Sequence, residues 1–190
     1  MKNKDSKRLV IDASIAQAAG TTEHPTSKLS RECLSAILQI CHKIVMTPAI
    51  SQEWNKHQSL FAKKWLRNMI AKKKRVTGVN LTDNEKKQLH DNIEELGASR
   101  NKVNAMLKDV HLLEAALATD YLVISSDEKV RELFNDLSQP VVSLKKIAWV
   151  NPTHTDEKTI EWLENGANVE KPRQLGQLKK DDISKKLEPS

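Results

Sequence analysis

The 190-residue chain contains no apolar run approaching the roughly 20 residues that a membrane helix needs, which argues against a membrane protein. Its N-terminus, MKNKDSKRLVIDAS, ends its short apolar run at Asp12 and makes a poor secretory signal. There are only two cysteines, Cys33 and Cys41. They fall in a helical pattern about 12 Å apart in rise, too far for a disulfide. Both read as small core side chains, as expected for a reducing cytoplasm. With four Trp, two Phe and one Tyr, a broad aromatic platform for stacking bases is not expected. No glycine-rich loop follows Ile11, which counts against a nucleotide-binding α/β domain. No internal repeat and no Cys/His group with zinc spacing is present.

What is there is ordinary globular composition with an excess of positive charge. A 38% hydrophobic, 29% charged chain can build one real core. The formal net charge of +6 points to an anionic partner, nucleic acid first, and with few aromatics the contacts should fall mainly on phosphates.

Leu9-Val10-Ile11 reads as a short buried strand closed by Asp12-Ala13-Ser14. Apolar positions 29, 33, 34, 37, 38 and 41 predict a helix with Ser30 as a cap. Ile44-Val45-Met46 follows as a second strand, and Thr47-Pro48 opens the next helix. A further helix turns Phe61, Trp65, Leu66, Met69 and Ile70 inward. Its basic residues Lys63, Lys64, Arg67, Lys72, Lys73, Lys74 and Arg75 form either a solvated face or a nucleic-acid surface. Thr82-Asp83-Asn84-Glu85 carries a capping box, predicting a helix from there to Leu96 that Gly97 ends. Ala98–Leu107 reads as helical and leads to a helix beginning at Asp109. The all-apolar run from Tyr121 into Ser125-Ser126 then reads as a strand buried on both faces, with Asp127 at its end and a helix after it. Val141–Leu144 predicts a fourth strand and Ile147–Val150 a fifth.

Strands alternating with helices give an α/β fold, a mainly parallel sheet of four to five strands flanked by helices. The expected domain covers residues 8–152, with a helical insert at about 49–107 forming a lobe beside the sheet. Residues 153–190 add a short helix at Asp156–Glu164 and a polar, loosely ordered tail from Lys171. Residues 1–7 are expected to be mobile.

Four acids stand out by position. Asp12 and Asp127 end strands, Glu53 lies one turn into the helix after the second strand, and Asp109 precedes the third. Parallel sheets bind ligands beyond the carboxyl ends of their strands. Each acid also has a plainer role: Asp12 and Asp127 as helix caps, Asp109 at a helix dipole, Glu53 as a surface partner of Lys56 or His57. Gathered in one cleft, they would repel. Two carboxylates about 4 Å apart cost about 4 kcal/mol at an effective dielectric of 20. A cation would relieve this, and an all-oxygen set suits Mg²⁺ or Mn²⁺. His111, two residues after Asp109, sits about 200° further round the helix and is not expected to act as a base.

LVIDAS at 9–14, the helical Glu53, KDVHLLEAAL at 108–117 and ISSDEKVRELF at 124–134 resemble, in order, the four acidic motifs of PIN-domain ribonucleases. The resemblance spans about residues 8–150 and implies a Rossmann-like sheet and metal-dependent hydrolysis of RNA phosphodiester bonds. Asp12, Asp109 and Asp127 would hold the metal, with Glu53 placing a water or second ion. Ser14 and Ser126, read from their positions beside these acids, either hydrogen-bond the acids or a phosphate or serve as helix caps. Many such proteins are toxins held by a cognate antitoxin, which adds an antitoxin to RNA as an implied partner. A homodimer is a further partner the sequence leaves open. This chain is longer than the compact toxins. The alternative is a catalytically silent PIN-like module that binds RNA or protein.

Overall fold

In the computed structural model, which describes residues 6–177, Leu9, Val10 and Ile11 lie wholly buried in the middle strand of a five-stranded sheet. The strands are β1 (Arg8–Ile11), β2 (Lys43–Val45), β3 (Arg75–Val76), β4 (Leu122–Ile124) and β5 (Ala148–Val150). Every pairing is parallel, in the order β3-β2-β1-β4-β5. Helices α1 (Ala13–Ala18), α2 (Pro25–Gln39), α3 (Pro48–His57), α4 (Leu60–Ala71), α5 (Asp83–Leu96), α6 (Arg100–Leu117), α7 (Glu128–Ser138) and α8 (Thr159–Glu164) surround it. Residues 122–124 and 148–150 are fully buried as well, as a parallel sheet covered on both faces requires. The fold is α/β and of the Rossmann-like, PIN-like kind.

The chain runs outward from β1 to β2 and β3, then returns across the sheet to β4 and β5. The strand order therefore reverses between β1 and β4, and an open α/β sheet has its ligand crevice outside the carboxyl ends at such a point. Register fixes which residues emerge there: Ile11 pairs with Ile124, so Asp12 and Ser125 are the next residues on the two strands.

Local chemistry explains most helix starts. Thr47, Ser59, Ser99 and Asp127 each accept a hydrogen bond from a backbone N–H of the helix they precede. Thr82 and Glu85 form the reciprocal capping box. At Gly97 a Cβ would stand 2.7 Å from the Ile93 carbonyl oxygen, so the tight turn from α5 into α6 needs glycine. The aromatic rings are structural. Trp54, Trp65, Trp149, Trp162 and Phe134 are all buried. Trp54 and Trp65 pack with centroids 5.8 Å apart.

Several expectations need correction. Val141–Leu144 is not a strand: residues 142–146 form a 3-10 turn in which Leu144 alone is buried and Val142 stays 67% exposed. After Pro140 this segment has one apolar anchor, too little for a two-faced strand. The strand that fills the sheet is instead Arg75–Val76, two residues long with no apolar run to announce it. It lies within residues 49–107, so that stretch is not a lobe. It is two ordinary crossovers, α3–α4 into β3 and α5–α6 into β4. Asp109 does not begin a helix. α6 is continuous because Val103, Met106, Val110 and Leu113 make one buried stripe with no Pro or Gly to interrupt it. α2 starts at Pro25 rather than Leu29, with Ser30 buried inside it.

The C-terminal stretch is ordered further than its composition suggested. Gln174 bridges Ala148 on the free edge of β5, Leu175 is fully buried, and Gly176 N–H donates to Asn135 Oδ1 over 2.8 Å. Arg173 stacks on Trp162 at 5.4 Å. The rest of the expected tail, residues 178–190, and residues 1–5 at the other end lie outside the described residues.

Candidate acidic site at the carboxyl edge

Asp12 stands at the strand reversal, its backbone N–H donating to Ile124 O over 2.9 Å. It occupies the N-cap position of α1 but makes no side-chain cap hydrogen bond. Its Oδ2 accepts from Ser14 Oγ at 2.6 Å and from Ser125 Oγ at 2.7 Å. Each serine oxygen accepts in turn from the backbone beyond β4: Ser126 N–H to Ser14 at 3.2 Å, and Asp127 N–H to Ser125 at 3.1 Å. Two donors on one oxygen fix the carboxylate's rotation, and Oδ1 has no hydrogen bond among the described residues. Ser125 is fully buried and was not singled out in the sequence, where Ser126 was. Ser126 contributes its N–H, and it is Ser125 whose hydroxyl reaches Asp12. Adjacent strand residues face opposite sides, so only the register could choose between them.

Asp127 does cap a helix, its Oδ1 accepting from Val130 N–H at 3.0 Å. Glu53 sits on α3, which Trp54 pins to β1 by donating from Nε1 to Ile11 O over 2.8 Å. Glu53 accepts from Lys56 Nζ at 2.9 Å and has His57 Nε2 at 3.5 Å, the surface pairing anticipated as its plainer role. The Lys56 hydrogen bond, opposed by burial and helped by the charges of Lys56, His57 and His111, holds its carboxyl below the usual value.

Asp109 ties the group together. Its carboxyl is pushed up to about 6, first by burial and then by the negative charge of Asp12, with Asp127 and Glu53 adding to this and Lys108 opposing it. The four acids thus share one electrostatic neighbourhood. His111 belongs to it too: burial lowers its pKa while the nearby charges of Asp12 and Glu53 act to raise it. These charges act on it despite the 200° offset from Asp109 on the helix.

Among the described residues, the group whose ligand atoms all lie within 4.8 Å of one another is a different one, Glu128, His154 and Glu157. These three could hold a metal ion; no motif joins them in the chain, because they meet only through the fold. Their charges already have partners. Arg131, 3% exposed, reaches Glu157 at 2.6 Å and Glu128 at 3.2 Å, and Arg173 reaches Glu157 at 3.4 Å. Asn151 donates to both carboxylates, from its backbone N–H at 3.1 Å and from Nδ2 at 2.8 Å. Two guanidinium groups against two carboxylates balance without a cation, and the network fastens the segment after β5 to α7.

The basic residues separate. Lys63, Lys64 and Arg67 are exposed on α4. Lys72 and Lys73 follow its end, and Arg75 lies on β3. The chain enters β3 at its amino end, so residues 72–75 lie at the edge of the sheet opposite the acids. Lys74 is occupied: its ammonium donates to the carbonyls of Ile37 at 3.2 Å, Leu38 at 2.9 Å and Ile40, closing the end of α2. A cavity of about 540 Å³ also lies away from the acids, between α5 and the segment Pro140–Lys146.

No helix among the described residues is long and apolar enough to cross a membrane. Compared with family models, curated proteins and solved structures, the chain matches none of them.

Proposed function

We propose that this chain is a divalent-metal-dependent endoribonuclease of the PIN type, working at the acidic group beyond β1 and β4. The observation that carries the reading is Asp12: a strand-end carboxylate released from helix capping and oriented by Ser14 and Ser125, with one oxygen uncommitted, among Asp109, Asp127 and Glu53. The donors are hard carboxylate oxygens, which fit Mg²⁺ or Mn²⁺. The carboxylates of Asp12, Asp109 and Asp127 are too spread for all to bind one ion directly, and Mg²⁺ characteristically keeps several waters. Direct and water-bridged contacts together satisfy both facts.

When bound, the cation supplies Lewis acidity and a more acidic water. The protein's own groups do the rest. Ser14 and Ser125 hold Asp12 in one orientation. Asp109 loses the proton that its crowded surroundings favour. Glu53, steadied by Lys56, orients a water for attack. Hydrolysis adds that water across P–O3′, leaving its oxygen on a 5′-phosphate and a proton on the 3′-hydroxyl. Lys63, Lys64 and Arg67 attract the RNA backbone. Neither cysteine is in a disulfide, which suits a reducing cytoplasm; Cys33 is buried as expected, while Cys41 is exposed and not a core side chain.

A second reading has support of its own. Asp127 caps α7 and Glu53 pairs with Lys56, so both acids have structural work, as in a silent RNA-binding module. Incubation of RNA with the protein and Mn²⁺ decides. A nuclease cleaves, and stops with EDTA or with Asp12→Asn. A silent module cleaves nothing and gains no thermal stability from Mn²⁺.

A further inference from the structure

A second cavity, of about 190 Å³, opens beside the acids between the start of α3, residues 79–81 and α6. Its apolar lining includes Pro48 and Ala115, and its polar lining includes Asn80, Lys86, His111 and Glu114. His111 joins the two places, since it lines the cavity and feels the charges of Asp12 and Glu53. Glu114 lies five residues beyond Asp109 on the same helix, about 7.5 Å along its axis. Ligand sites are typically apolar clefts with a few placed polar groups, and drug-sized ligands occupy roughly 300–1,000 Å³. This smaller space suits a single ring system.

The polar groups have a definite sense. His111 Nδ1 lies 3.2 Å from the Lys108 carbonyl, which can only accept, so Nδ1 carries a hydrogen and, in the neutral ring, Nε2 is an acceptor. Glu114 uses Oε1 on His90 Nε2 at 2.9 Å, and its Oε2 has no hydrogen bond among the described residues. These two acceptors favour a base edge that donates, and the Lys86 ammonium, a donor, suits the ring-nitrogen acceptor that stands beside the amino group in cytosine and adenine. Cytosine and adenine present an exocyclic amino group where uracil, like thymine, presents a carbonyl oxygen. Asn80, exposed and able to donate and accept, completes the rim. Single-stranded RNA is read in this way, with bases turned out of the stack, hydrogen-bonded at their edges and stacked on rings that include histidine.

We infer that this cavity is a base-recognition subsite, taking the nucleobase of a nucleotide next to the scissile phosphate and preferring an amino-bearing base to uracil. The inference rests on the nuclease reading for its place beside a scissile bond, but binding tests it separately.

The experiment compares ten-nucleotide oligocytidylate and oligouridylate, which differ at each base by an amino group in place of a carbonyl oxygen. Affinity is measured with the full chain by fluorescence anisotropy in EDTA, and cleavage is then measured with Mn²⁺. The expected result is that oligocytidylate binds about tenfold more tightly and is cut faster. Glu114→Gln and the exposed Asn80→Ala should each reduce that ratio below about threefold, while Lys63→Ala weakens both oligonucleotides equally. Equal affinities in the unaltered protein, or a ratio that both pocket variants leave untouched, would overturn the subsite. Cleavage without base preference keeps the nuclease and ends the pocket. Base preference in EDTA with no Mn²⁺-dependent cleavage does the reverse.

Discussion

Ser125 Oγ lies 2.7 Å from Asp12 Oδ2, although 113 positions separate the two residues in the chain. The bond spans the β1–β4 reversal and fastens the leading carboxylate to the strand that delivers Asp127. Removing the hydroxyl with Ser125→Ala leaves Asp12 held by Ser14 alone and deprives Asp127 N–H of its acceptor. Groups that orient metal ligands typically contribute 10- to 100-fold in affinity or activity. Ser125→Ala is expected to weaken Mn²⁺ binding by about tenfold, measured by calorimetry, and to lower stability by about 1–2 kcal/mol. Ser126→Ala, whose contribution is a backbone N–H, should do neither.

Asp109 links pH to stability. Its folded pKa of about 6 lies above the ordinary carboxyl value, so its contribution to stability is fully present below about pH 4 and is lost as pH rises through 6. Asp109→Asn should therefore raise the melting temperature of the metal-free protein at pH 8. After discounting for solvent contact, about 1–2 kcal/mol is at stake, or roughly 5 °C. The same substitution should change little near pH 3.5. Because proton and cation compete, the thermal shift produced by Mn²⁺ in the unaltered protein should grow between about pH 5 and 7.

The lysines should divide into two classes. Lys74→Met removes the ammonium from the last carbonyls of α2 and should cost about 1 kcal/mol of stability without altering RNA affinity. Replacing Lys63, Lys64 and Arg67 together by alanine should leave the melting temperature nearly unchanged. If all three contact phosphates, the salt dependence of single-stranded RNA binding should fall by about 2 in slope.

Glu128, His154 and Glu157 offer a direct comparison with the acids at β1 and β4. His154→Ala should preserve Mn²⁺-dependent stabilisation, while Asp12→Asn removes it. Arg131→Ala should be severely destabilising, by about 3–5 kcal/mol, because it leaves the half-buried Glu128 without a guanidinium and the buried Glu157 with Arg173 alone.

Much of this was legible in the chain. Leu9–Ile11, the run ending at Asp127 and the capping box at Thr82–Glu85 state their structure locally, through unbroken apolarity or hydrogen-bonding side chains at fixed spacing. The strand ends then place Asp12 and Asp127 at the carboxyl edge. What could not be read depends on register and tertiary contact. β3 is two residues long and exists because β2 offers an edge. Ser125 rather than Ser126 reaches Asp12 because Ile11 pairs with Ile124. Lys74 looks like its basic neighbours, and only the position of α2 beside it turns it into a cap. Asp109 lies inside α6 and not at its start, because the buried stripe Val103, Met106, Val110 and Leu113 runs straight through it.

The central claim is that Asp12 holds a cation with which the chain cleaves RNA. The most direct measurement is cleavage of a labelled single-stranded RNA by purified protein with Mn²⁺, alongside Asp12→Asn at equal concentration and with both melting curves recorded. The account predicts cleavage to 5′-phosphate ends by the unaltered protein, and none by a variant that folds as well as its parent. Cleavage at equal rates by both proteins, or none by either, would contradict it.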